Sequence, residues 1–251
     1  MRHPRGFSGV AVVLLLVWGS VARAQDSRAA EILSQVVMKN RERQAALAAY
    51  RSDRVYRIEY RGVGGLHVAQ MQVHAEYRAP GTKHFTVTSE TGSKAFGDKV
   101  LRRLIDSEEE SSKAENQVQM MVSPDKYDAQ VTGHERVCGV DAWVLDVKPK
   151  EPSKFNYSGR IWVSVDDMAI VRVVGHPAKN PSWLVNRTEF DSEYQRVGPF
   201  WLMAKNTTVS HVRLGGEATL TIDYGKYTVD EAPEKAETEH LNSGAPHPLP
   251  R

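Results

Sequence analysis

The sequence predicts a mainly β protein with helices (α+β), built on one strongly curved antiparallel sheet. Residues 157–229 run almost unbroken in Val, Ile, Thr, Tyr and Trp, and only short Gly- or Pro-containing links interrupt them. Residues 50–61 and 66–77 alternate apolar and polar side chains, the pattern of strands with one dry and one wet face. Two stretches, 27–47 and 98–121, break the two-residue period and space their apolar residues as helices do.

The chain opens with Arg2 and Arg5, then an apolar stretch from Val10 to Trp18, then Ala22-Arg23-Ala24. A basic start, a short apolar run and small residues two apart make a secretory signal peptide, with cleavage expected after Ala24. The run is shorter than the ~20 apolar residues a membrane-spanning helix needs. No Cys follows it, so a lipid-anchored start is not expected. The expected organisation is a leader over 1–24, a single domain over 25–230 and a disordered tail over 231–251, where Pro, Ser, Gly and charge dominate.

Cleavage removes Arg2, Arg5 and Arg23 from 33 basic residues and leaves 30 against 31 acidic ones, a net charge of −1. No clustered basic face marks a nucleic-acid partner. Cys138 is the single cysteine, which excludes an internal disulfide. Flanked by Val137 and Gly139 at a hairpin, it reads as a small, inert, half-buried residue.

In chain order, the helix at 27–47 presents Ala29, Ile32, Leu33, Val36 and Val37 on one side, with Asp26 or Ser27 to cap its start. The next strand puts Tyr56, Ile58 and Tyr60 on one face and Arg57, Glu59 and Arg61 on the other. After the glycine-rich turn at 62–65, Ala69, Met71, Val73, Ala75 and Tyr77 share a face, and Ala79-Pro80-Gly81 turns the chain into a strand at 83–89. The mid-chain helix carries a narrow stripe of Val100, Leu101, Leu104 and Ile105, followed by the run Glu108-Glu109-Glu110, read as solvated surface. This segment is either a connector packed on the sheet or a lid over its concave face. Strands resume at 127–132 and 142–147, with a bend at 148–152 and a hairpin over 159–174. Three long strands, 183–194, 200–214 and 217–229, complete the sheet.

The elements of familiar catalysis are missing. There is no Gly-x-Ser-x-Gly elbow, no phosphate-cradling glycine loop and no Cys-x-x-Cys pair. The histidines are scattered; His74 and His84 would face each other across the Ala79-Pro80-Gly81 turn, but without a third ligand. Glu189, Asp191 and Glu193 share one strand face and read as solvent-facing acids rather than a catalytic pair. No enzyme, no metal and no cofactor is expected.

Several segments resemble the periplasmic outer-membrane lipoprotein-sorting proteins, the LolA/LolB-like carriers. They are Gly159-Arg160-Ile161-Trp162-Val163 with Asp166-Asp167 and Ile170-Val171-Arg172, then Thr188-Glu189-Phe190-Asp191, Phe200-Trp201-Leu202-Met203 and Leu220-Thr221-Ile222-Asp223-Tyr224. The resemblance spans roughly residues 25–229. It implies a half-open β-barrel covered by the N-terminal helix and a mid-chain helical lid, with an apolar cavity for acyl chains, in the periplasm. The chain is longer than the small shuttle carriers and has Met203 where a turn proline usually follows the position of Leu202. The extra length leaves room for a different role on the same fold, such as a stress-sensing regulator.

A sheet that curls without closing leaves an apolar concave face that helices or ligand must cover. The expected cavity wall is Tyr56, Ile58, Tyr60, Met71, Val73, Phe190, Leu202, Leu220 and Ile222, with Val100, Leu101, Leu104 and Ile105 as lid. The expected ligand is an acylated lipoprotein or other acylated molecule, taken from and passed to membrane-bound donor and acceptor proteins by a monomer. The rival reading is an envelope sensor or scaffold on the same fold. A hydrolase is the third, with only unpaired polar residues in its favour.

Overall fold

The strand that follows the first helix lies inside the sheet, third from one edge, and the last strand among the described residues pairs beside it. The structure, a computed structural model, describes residues 11–94, 100–180, 185–213 and 215–233, with side chains of the first helix described from Ser27. Residues 1–10, with the basic start of the expected leader, residues 95–99, residues 181–184, Leu214 and the expected tail from residue 234 lie outside the described residues.

In order, the elements are α1 (Ala11–Ala46), β1 (Leu47–Gly62), β2 (Gly65–Arg78), β3 (Thr82–Gly92), α2 (Arg102–Ser112), α3 (Ala114–Met120), β4 (Tyr127–Val137), β5 (Val140–Pro149), β6 (Tyr157–Ser164), β7 (Ile170–Pro177), β8 (Val185–Val197), β9 (Phe200–Val212) and β10 (Glu217–Glu231). All ten strands join one antiparallel sheet in the order β3-β2-β1-β10-β9-β8-β7-β6-β5-β4. The sheet is open: β3 and β4 are its two edges. The chain must therefore cross from one edge to the other between residues 93 and 126, and α2 and α3 make that crossing.

The expected strands are all present, and several run longer than their sequence pattern. β4 continues to Val137 and β5 to Pro149, past the residue where the bend was expected. The mid-chain helix is broken in two at Lys113, which takes an extended conformation (φ −60°, ψ 139°). No helix among the described residues is long and apolar enough to cross a membrane.

Cross-strand register fixes which residues share a face. Leu145, Ile161, Val173, Ser192, Asn206, Ile222, Tyr56 and Met71 stand opposite one another in turn across β5, β6, β7, β8, β9, β10, β1 and β2. Directly opposed residues point the same way, so this row runs along a single face, called here the inner face. α1 and the start of the crossing with α2 lie on it. α1 sets Ala29, Ile32, Leu33 and Val36 against Leu145, Val147, Ile161, Val163 and Val173 at one end. At the other end Leu101 and Ile105, from the start of the crossing, pack on Tyr56, Ile58, Met71, Val73 and Ile222.

Two glycine sites let the strands come close. A Cβ on Gly159 would meet the Val174 carbonyl oxygen at 2.2 Å, and one on Gly175 would meet the Ser158 oxygen at 2.4 Å, so β6 and β7 approach backbone to backbone only because both are glycine. Gly225 lies where the β1–β10 register shifts between Ser52 and Arg54, and a Cβ there would meet the Asp53 oxygen at 2.6 Å.

Candidate functional site

The inner face divides into an apolar sector under α2, a polar middle and an apolar sector under α1. In the α2 sector, alternation along β1 brings Ser52, Arg54, Tyr56 and Ile58 inward, and alternation along β2 adds Ala69, Met71, Val73 and Ala75. From the crossing segment Leu101, Ile105, Glu108 and Ser112, three or four residues apart, face them. Leu101 and Ile105 are buried, and Val100 and Leu104 pack beside them half-buried. All four stripe residues thus lie against the sheet where six of the nine expected wall residues gather: Tyr56, Ile58, Met71, Val73, Leu220 and Ile222.

The other three stand apart. Phe190 belongs to the α1 sector, edge-on to Tyr157 at 5.6 Å between ring centres. Leu202 packs with Leu47, Tyr50, Tyr77, Phe200 and Tyr227 where α1 gives way to β1. Tyr60 sits near the β1–β2 hairpin tip and donates its hydroxyl to the Gly215 carbonyl at 2.9 Å. Between the two apolar sectors the inner face is polar: Thr188 and Ser210 share a hydrogen bond of 3.1 Å, Asn206 Nδ2 donates to Ser192 Oγ at 2.8 Å, and the Thr208 hydroxyl donates to Asn206 Oδ1 at 3.0 Å. The register explains this middle, since Ser192 and Asn206 fall in the inner row that Ile222 and Val173 continue on either side.

A charged cluster closes the α2 sector. The Arg54 side chain, 1% exposed, donates from Nη1 to Glu108 Oε1 at 2.5 Å. Lys83 Nζ donates to the same oxygen at 3.1 Å, and the Tyr56 hydroxyl donates to Glu108 Oε2 at 2.9 Å. The guanidinium also lies 4.7 Å from the centre of the Tyr224 ring and 5.3 Å from that of Phe85. Burial alone would raise the Glu108 carboxyl, but Lys83 and Arg54 outweigh it and hold the group at about 2. Burial opposes the Arg54 charge, and Glu108, Tyr56 and Tyr224 overcome it and raise the guanidinium above its ordinary value. Burial, then Glu108, raises the Tyr56 phenol, which stays neutral. The acidic run places Glu108 in solvent, and the structure corrects this: its carboxylate is the acceptor at the centre of the cluster. Arg54 carries a signal of its own in the sequence, because counting back by twos from Tyr56 puts it on the dry face.

Other polar candidates do not converge. His84 stands opposite Glu76, and His74 opposite Thr86, so the two histidines do not face each other; His74 Nδ1 lies 2.8 Å from Asp53 Oδ1. Arg172 grips Asp191 through two bonds of 3.0 and 2.6 Å, and Arg187 pairs with Glu189. Among the described residues no group of three or more His, Cys, Asp or Glu is placed to hold a metal ion. Cys138 is exposed rather than half-buried, because the β4–β5 turn puts it at positive φ (50°) at the hairpin tip. Its thiol donates toward the Val171 carbonyl at 3.5 Å, and the desolvation of that contact with the charge of Glu193 raises its pKa.

Residues 65–174 match the family described as the MucB/RseB N-terminal domain. That segment contains both flanks of the sheet and the helical crossing between them, but not β1, β8, β9 or β10. No curated protein sequence matches the chain. Among solved structures, a DUF1329 family protein from Desulfovibrio piger is similar at 15% identity and a TM-score of 0.44, over 86% of this chain and 98% of that one. An outer membrane lipoprotein-sorting protein domain from Vibrio parahaemolyticus is similar at 9% identity and 0.41, over 82% and 93%. A LolA superfamily protein from Nitrosomonas europaea is similar at 10% identity and 0.35, over 82% and 95%. The lipoprotein-sorting proteins that the sequence resembles are thus among the structures similar to this chain.

Proposed function

We propose that this chain is an exported periplasmic binding protein, not an enzyme, that carries lipoproteins or other acylated molecules in a half-open barrel with α2 as its lid. The observation that carries the reading is the seating of the α2 segment. A crossing element covers the apolar end of an open sheet, and its buried residues Leu101 and Ile105 occupy the surface an acyl chain would take. An acyl chain gains ~0.8 kcal/mol per buried CH₂, so a chain of ordinary length repays the displacement of two such side chains, each worth roughly 1.5–3 kcal/mol. The resemblance to the lipoprotein-sorting carriers supports the same ligand class, with membrane-bound donors and acceptors as partners.

The family match over residues 65–174 favours a second reading, an envelope sensor or scaffold whose cavity reports on lipids while a partner protein holds the sheet. Native mass spectrometry of the exported protein separates the two. Co-purified lipid supports carriage. An empty protein in a stable heteromeric complex supports the sensor, and turnover of added esters would return the chain to the enzymes.

A further inference from the structure

We propose that Arg54, Lys83 and Tyr56 form an anion-binding site for the head of the acyl ligand, a carboxylate or a phosphate, and that Glu108 stands in for that head while α2 is closed. The inference rests on the acyl-binding reading and adds the chemistry of the head group.

All three donors belong to the sheet, Arg54 and Tyr56 on β1 and Lys83 on β3, and the acceptor alone belongs to α2. When α2 lifts, the receptor stays behind intact, with two cations and a phenol aimed at the space one carboxylate filled. Such a site is expensive as a mere brace. Apolar side chains of similar volume hold a helix on a sheet at least as well as a buried ion pair. The neighbours of Arg54 on the sheet include Phe85, Tyr56 and Tyr224, which would pack on them, beside Ser52, whose Oγ accepts from Arg54 Nε at 3.3 Å. A guanidinium nonetheless occupies the place, and its fork matches the oxygens of a carboxylate or phosphate.

The inner stripe of α2 and the residues before it has the outline of the ligand it would yield to. Glu108 supplies one anionic head, and Ile105 and Leu101 continue from it as apolar side chains over the next two turns, about 10 Å at 1.5 Å per residue. An amphiphile with one anionic head and a long apolar tail satisfies both halves of that imprint. A neutral acyl ester satisfies only the apolar half and leaves Arg54 buried without a counter-charge.

The test is calorimetric titration of the purified protein with dodecanoate, dodecyl phosphate and methyl dodecanoate at one ionic strength. The two anions should bind at least roughly tenfold more tightly than the ester, the factor a charge-assisted hydrogen bond supplies. Arg54→Met should bring that preference down to about one. Glu108→Gln should tighten all three ligands, since the internal competitor is weakened, while the preference for anions remains. Should Arg54→Met fail to fold, Lys83→Met, at a partly exposed position on an edge strand, should reduce the preference in the same direction. The tighter of the two anions identifies the source, free fatty acid or phospholipid. Equal binding of dodecanoate and its methyl ester overturns the anion site and leaves the acyl-binding reading standing. Binding of none of the three overturns both.

Discussion

Arg54 and Glu108, separated by 54 residues in sequence, meet at 2.5 Å and are 1% and 21% exposed. The pair joins the sheet to α2, the first of the two helices that cross between its edges.

Weakening the pair should loosen α2 without unfolding the sheet. In Glu108→Gln the amides of α2 should exchange with solvent roughly 10- to 100-fold faster, while those of the β1–β10 pairing keep their protection, because local opening draws on local contacts. Hydrogen exchange read by mass spectrometry on the two segments checks this. Equal acceleration in both would show that α2 is part of the global folding unit.

Acid should act on the same contact. Glu108 ionises at about 2 in the folded protein against 4.5 in its unperturbed state. A folded-state pKa that is depressed stabilises above the unfolded value, and that contribution fades as pH falls through the folded one. Arg54 keeps its charge across this range and Tyr56 stays neutral. The latch is therefore whole above about pH 4.5 and is lost toward pH 2. Binding of an apolar-surface dye should rise over that window, and in Glu108→Gln it should be raised already at about pH 5.

If α2 serves as a lid, its apolar half should be separable from fold stability. Replacing Leu101 and Leu104 together with Ser should cost little in melting temperature but change acyl-ligand affinity, since the wall above the ligand is lost. A clear drop in melting temperature with unchanged ligand binding would make α2 an ordinary brace.

The α1 sector should behave as core. Leu145 is fully buried among Leu33, Ile161 and Val163, and Leu145→Ala should cost about 2–5 kcal/mol in denaturant unfolding. Its effect on acyl binding should be small. The comparison with the Leu101/Leu104 pair distinguishes core from lid.

Maturation gives the simplest check. Material recovered after export should begin at Gln25, as N-terminal sequencing would read. A membrane-bound product that retains Val10 to Trp18 would contradict the carrier reading.

Most of the β1–β2 hairpin is legible in the sequence, because Tyr56, Ile58, Met71 and Val73 sit in strands whose strict alternation needs no partner to be read; Tyr60, near the hairpin tip, turns instead to the Gly215 carbonyl. The same logic puts Phe190 and Leu202 in one wall with them, yet they fall in different sectors. Alternation assigns a face but not a position along a ten-stranded sheet, and the register shift between Glu193 and Tyr194 alters the pairing beyond it. The stripe on the mid-chain helix is visible from its spacing. Glu108 is not, since a charge in an acidic run looks solvated until the buried guanidinium that claims it is known. The polar middle of the inner face escapes for a similar reason: Ser192 and Asn206 acquire a shared location only once β8 and β9 are paired.

One interior seam of the sheet joins Leu47–Gly62 to Glu217–Glu231, strands from opposite ends of the described fold. A polypeptide that emerges amino end first must hold β1 with one unpaired edge until β10 has arrived. Contacts of such long sequence separation close slowly, and an exposed strand edge invites other chains meanwhile. Arg51, Asp53, Arg57 and Glu59 set alternating charge along the other face of that waiting strand, a pattern that discourages premature pairing. Loss of the final fifteen-residue strand should therefore yield aggregates rather than a smaller folded protein.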